Sequence, residues 1–191
     1  MWISISWLPL VAVHWTVTFE DDACTYYRGA VESDGVMPVR VDCDWAVDSG
    51  KAAQLLEDQN AHDEIFDALA ESTILSEEGP IRRVYQVQRA AGVTDRHVIL
   101  EYTEEMLSNG RRFRWTKSTD QSALRPEGVE VEVTEGQWEV TKTETGMHLH
   151  YELRYLPGGR VPPFLVSWFQ GLGTRLVIAD LRESLVPYEI P

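Results

Sequence analysis

Residues 156–185 read LPGGRVPPFLVSWFQGLGTRLVIADLRESL. A Gly-Gly pair and a Pro-Pro pair lead into a long apolar-striped run. Pro162 and Pro163 bring a fixed φ and need no backbone partner at a helix start. Leu165, Trp168, Phe169, Leu172, Leu176 and Ala179 then recur at three- and four-residue spacing, which predicts one wide apolar helix face. Gly171 and Gly173 interrupt that helix. Each costs about 1 kcal/mol relative to Ala in a helix interior, so a packing or clearance reason, or a break in the helix, is expected there.

Working back from this closing helix, the chain reads mainly as strands. Cys24–Val31 and Val39–Val47 alternate apolar and polar residues around Ser33-Asp34-Gly35, the pattern of a hairpin. Ser49 can cap a short helix through Ala52, Leu55 and Leu56, and Ile65, Phe66 and Leu69 suggest a second. Strand-like runs follow at Glu71–Glu77, Arg82–Arg89, Arg96–Tyr102, Arg112–Ser118, Glu130–Val140 and Met147–Tyr155. Their connectors carry Gly79-Pro80, Asn109-Gly110 and Gly146. Hairpin, two short helices, antiparallel meander and one long last helix make an α+β fold. A curved sheet wrapped around a single helix leaves a gap between them.

The chain has 191 residues, enough for one sizeable domain. Its net charge of −14 repels nucleic acid and anionic lipid surfaces at long range. Arg111, Arg112, Arg114 and Lys117 form a local basic cluster, read as the charges of a solvated hairpin. Cys24 and Cys43 cannot build a disulfide framework; they could form one bridge if adjacent strands bring them together, but free thiols are expected. Residues 1–14 form an apolar segment without Lys or Arg, so the charged start of a secretory signal is missing and the apolar run is too short to span a bilayer. A cytoplasmic location is expected, or an exported one if this segment is the remnant of a signal.

Four stretches together resemble the START domain, a branch of the helix-grip superfamily that also holds polyketide cyclases and the birch-pollen allergen type. LPGGRVPPFLV at 156–166 resembles the family's entry to its last helix, with Leu156 where an acid is usual and Phe164 where Trp is usual. GVTDRHVILEY at 92–102 resembles the Arg-Asp strand, with His97 in the Asp position. GQWEVT at 136–141 and TGMHLHYELRY at 145–155 resemble the two strands that follow. WTVTFEDDACTYYRGAVESDGVMPVRVD at 15–42 is similar to the opening hairpin. The resemblance spans residues 15–185 and implies one helix-grip domain over 15–191, a curved antiparallel sheet around a long C-terminal helix. It further implies binding, and by extension transfer or sensing, of a hydrophobic small molecule of the lipid class in a cavity between sheet and helix. A monomer is expected, with at most transient membrane contact, no nucleic-acid partner and no cofactor. Some sterol-binding members carry a buried Arg near the end of the Arg-Asp strand; Tyr102 occupies that position here.

Alternation along 96–102 puts Arg96, Val98, Leu100 and Tyr102 on the concave face and His97, Ile99 and Glu101 on the other. Together with Phe66, Tyr85, Trp115, Leu165, Trp168, Phe169 and Leu172 they make the expected cavity lining. A buried Arg96 needs an acid, with Glu152 or Asp95 available. His148 and His150 share one strand face at the spacing of a metal edge, but no further ligands accompany them, and two polar-face histidines are the expected reading. No G-x-S-x-G turn accompanies the serines, and two prolines follow the PGG where an anion cradle needs amide donors. No catalytic residue is assigned. A cavity enzyme of the polyketide cyclase/dehydratase kind is the alternative, and an interaction module with a filled core is a third.

Overall fold

The computed structural model describes residues 14–89, 93–161 and 172–190. Ten strands form one sheet: β1 Thr16–Glu20, β2 Cys24–Arg28, β3 Val39–Trp45, β4 Leu69–Glu78, β5 Ile81–Gln88, β6 Arg96–Leu107, β7 Gly110–Lys117, β8 Val129–Glu130, β9 Val133–Lys142 and β10 Met147–Leu156. Helices α1 (Ser49–Glu57) and α2 (His62–Ile65) connect β3 to β4, and α3 (Thr174–Leu185) closes the chain. The sheet order is β1-β2-β3-β10-β9-β7-β6-β5-β4, with β8 running parallel to β6. All other pairings are antiparallel. The α+β, helix-grip architecture expected from the sequence is the one observed.

Period-two burial builds the core. Val39, Val41, Cys43 and Trp45 of β3 point inward with Met147, Leu149 and Tyr151 of β10, and they meet Ala52, Ala53 and Leu56 of α1. Helix α1 starts at Asp48, whose side chain accepts the Lys51 amide, so Asp48 rather than Ser49 is the cap. Ile178, Leu181 and Leu185 of α3 join the same core. The buried stripe of α3 is Thr174, Ile178, Leu181 and Leu185, whereas Leu176 is 45% exposed, so the face differs from the one the spacing predicted. The earlier part of the expected helix, with Leu165, Trp168 and Phe169, lies outside the described residues.

Three further expectations change. Cys24 and Cys43 are bridged, because β2 and β3 set them directly opposite each other with Cα atoms 4.1 Å apart. Alternation alone does not give register, which is why the sequence left the pairing open. The second helix is a single turn: Phe66 is already extended, and Leu69 pairs with Gln88 as the first residue of β4. Strand β1, not marked by alternation, pairs with β2 along the sheet edge. The tight β4–β5 turn uses Gly79 at φ +60° followed by Pro80.

The charged residues flagged by the sequence lie in ion pairs. Arg111 meets Glu57 and Glu104, Arg112 meets Glu105 and Glu139, and Lys117 meets Glu130. His150 lies 2.7 Å from Asp42 and 3.2 Å from Glu152, and His148 lies 2.9 Å from Asp44. Among the described residues, no group of three or more His, Cys, Asp or Glu is arranged to hold a metal ion, and no helix is long and apolar enough to cross a membrane.

Candidate functional site

Between the concave face of the sheet and α3 lies a cavity of about 310 Å³. Its floor is aromatic because inward positions on four neighbouring strands carry Tyr102 (β6), Trp115 (β7), Trp138 (β9) and Tyr151 (β10). The Trp138 and Tyr151 ring centroids are 4.1 Å apart, and Phe66 stacks on Trp138 at 6.1 Å and 12°. Gly136 lets this floor lie low. A Cβ there would sit 2.5 Å from the Trp115 ring and 2.3 Å from the Glu152 carbonyl oxygen, so only a residue without a side chain lets the indole pack against the strand.

One end of the cavity is polar. Arg96, Gln88 and Tyr155 line it, Gln88 being the cross-strand partner of Arg96 and the acceptor of the Tyr155 hydroxyl at 2.8 Å. Thr134 accepts the Trp115 indole N–H at 3.4 Å. At the mouth, Asp180 of α3 accepts the backbone amide of Asp67 at 3.1 Å and so ties the closing helix to the turn before β4. Burial raises the Asp180 carboxyl above its usual range.

Burial also keeps three tyrosines and one histidine of the lining neutral. It raises the hydroxyls of Tyr102, Tyr151 and Tyr155, and it pushes His62 down to about 4 despite a hydrogen bond with the Leu56 carbonyl. The cavity therefore presents a neutral aromatic body with the Arg96 guanidinium at one end, and Asp67, Arg89 and Asp180 also belong to its lining.

Of the residues expected at the site, Phe66, Arg96, Leu100, Tyr102 and Trp115 line this cavity. Val98 is fully buried on the same face but belongs to the packed core rather than the lining. Tyr85 points the other way: β5 turns Gln86 and Gln88 inward, so Tyr85 packs with Val87 and Ile99 on the convex side, below Arg125. Leu172 is 46% exposed and outside the lining. Leu165, Trp168 and Phe169 lie outside the described residues. His97 and Ile99 face the convex side as expected, yet both are buried there, because the segment after β7 covers them. Among the lining residues that sequence reasoning missed are Tyr151, Gln86, Gln88, Tyr155 and Thr174; extending the period of two from the neighbouring strands would have brought in the first four.

No protein-family model and no curated protein matches the chain. Solved structures do. A STAR-related lipid transfer protein from Xanthomonas axonopodis superposes with a TM-score of 0.80 at 21% identity, over 90% of this chain and 98% of that one. The fold is START-like. Human StAR-related lipid transfer protein 5 superposes with a TM-score of 0.80 at 12% identity, over 90% and 86% of the two chains. The Zhui aromatase/cyclase from a Streptomyces species reaches a TM-score of 0.57 at 14% identity, over 78% and 92%. Within this START-like frame, the cavity lies between the sheet and the closing helix.

Proposed function

We propose that the protein binds a hydrophobic small molecule of the lipid class in the cavity beneath α3, as a monomer, and releases it by opening at that helix. The observation that carries this reading is the neutral aromatic floor of Tyr102, Trp115, Trp138 and Tyr151 under a helix held at the mouth by an Asp67–Asp180 contact. Burying apolar ligand surface contributes about 25 cal/mol per Å², and the polar end orients the molecule. Likeness to lipid transfer proteins supports the class of ligand. Entry would break the Asp67–Asp180 contact, which lies in an exposed setting. Gly158 and Gly159 hold φ near +69° and +65°, and Gly158 packs against the Glu130 carbonyl, so the moving part is assigned to the helix rather than to this loop.

The cyclase/dehydratase alternative draws on the aromatase/cyclase likeness. Acid–base catalysis works best with a group poised near the working pH, and burial moves His62 and the cavity tyrosines away from it. The binder reading is therefore preferred. The Cys24–Cys43 bridge also favours an oxidising compartment over the expected cytoplasm; alkylation of the denatured protein from its own host should find no free thiol. Native mass spectrometry of the same preparation tests the function. A co-purifying apolar molecule, absent from Leu100→Trp in which an indole fills the cavity, is the expected result. An empty protein that also takes up no fluorescent lipid would overturn the reading.

A further inference from the structure

Arg96 is 4% exposed and lines the cavity. Its Nη1 donates to the carbonyl of Thr94, while its Nε is buried with no hydrogen-bond partner. Four arginines among the described residues have a buried nitrogen of this kind. Arg83 pairs with Asp120, Arg154 with Glu32, Asp34 and Glu135, and Arg182 with Glu189. Arg96 alone among the four has no carboxylate within ion-pair distance among the described residues. The two acids expected for it are engaged elsewhere: Asp95 faces Arg89 at 3.8 Å, and Glu152 meets His150 on the convex side.

A guanidinium stays charged at any ordinary pH, and a buried charge is costly unless it is paired. The cavity holds a second unpartnered group, the hydroxyl of Thr174, which is 4% exposed at the first turn of α3. A buried guanidinium whose Nε lacks an acceptor and a buried hydroxyl without a partner, both in the lining, are the features an anionic ligand group would answer. The Nε edge of a guanidinium matches a carboxylate in plane and spacing.

We infer that the ligand is an amphipathic carboxylic acid, its apolar body on the Trp115–Trp138–Tyr151 floor and its carboxylate on Arg96, with Thr174 as a second donor. A volume of about 310 Å³ lies at the low end of small-molecule sites and suits a single chain or a compact ring system. The inference rests on the reading of the cavity as an apolar binding site, and it adds the charge of the head group.

Two probes separate the inference from that reading: dansyl-undecanoic acid and its methyl ester, titrated into the full chain and followed by fluorescence. The ester reports apolar binding alone. The acid should bind about tenfold more tightly than the ester, the advantage expected of one charge-assisted pair. In Arg96→Met, which keeps the bulk and removes the charge, that advantage should vanish while ester binding persists. Thr174→Val, nearly isosteric, should lower acid binding about threefold and leave the ester unchanged. Equal binding of acid and ester to the unsubstituted protein would overturn the inference and leave the apolar site standing. Binding of neither probe would overturn both. Equal losses of acid and ester in Arg96→Met would make Arg96 a structural cation and overturn the inference; if that variant does not fold, the acid-to-ester ratio of the unsubstituted protein and of Thr174→Val decides.

Discussion

Along β9 and β10, Trp138, Leu149 and Tyr151 point into the core and cavity, while Gln137, Glu139, His150 and Glu152, one residue away, point to the convex side. There Arg112 bridges Glu105 and Glu139, Arg40 holds Asp42, and Asp42 and Glu152 enclose His150. The concave side instead buries aromatic rings and keeps its tyrosines and His62 neutral. The same strands thus carry charges that are answered on one face and almost no charge on the other. Against that background, the buried Arg96 of the cavity lining is the exception.

The contrast is tested most severely on the concave side. Trp138→Ala removes a ring that is 4% exposed and packed on Phe66, Trp115 and Tyr151. A loss of about 3–5 kcal/mol is expected in denaturant unfolding, and a loss below about 1 kcal/mol would show that the floor is not a packed element. Replacing Cys24 and Cys43 by Ser removes the covalent tie between two inward-facing positions 19 residues apart in sequence. About 3 kcal/mol should be lost, measured the same way.

The half-buried His150 of the convex side and the buried His62 should give stability–pH slopes of opposite sign. His150, raised to about 9 by Asp42 and Glu152 against the opposing effect of burial, contributes stability that is complete below its ordinary value of 6.5 and lost as pH rises through about 9. His62, lowered to about 4 by burial, is a base kept neutral; its contribution is complete above 6.5 and lost as pH falls toward about 4. Asp42 and Glu152 are both lowered, so their share is present above the ordinary carboxylate values and lost in acid. Urea midpoints across pH should lose their alkaline slope in His150→Ala and part of their acid slope in His62→Gln. Unchanged slopes in both variants would erase the distinction between the faces. The smallest effect is expected at the exposed rim of the convex lattice: Glu105→Gln, at a side chain 52% exposed, should change stability by no more than about 0.5 kcal/mol.

Much of this was legible in the chain. Period two along residues 96–102 placed Arg96, Leu100 and Tyr102 on the cavity side, and the glycine turns bounded the strands. What stayed hidden depended on neighbours far away in sequence. The Cys24–Cys43 bridge follows from the register of β2 on β3, which no local pattern carries. Tyr85 was drawn toward the cavity by its aromatic character, although Gln86 and Gln88 occupy the inward positions of β5. The offset of α3's buried stripe reflects the cavity beneath it, which leaves Leu176 half open where a filled core would cover it.

Gly136 also governs how the sheet can assemble. It is matched to Trp115 on β7 and Leu153 on β10, and it is the one position of β9 at which the indole meets no side chain. A slip of β9 by one residue would drive Glu135 or Gln137 into that ring and turn every inward side chain to solvent. A slip of two would bring in Thr134 or Trp138. The missing side chain works as a keyway: the three neighbouring strands β7, β9 and β10 lock together in one alignment, and misaligned pairings collide.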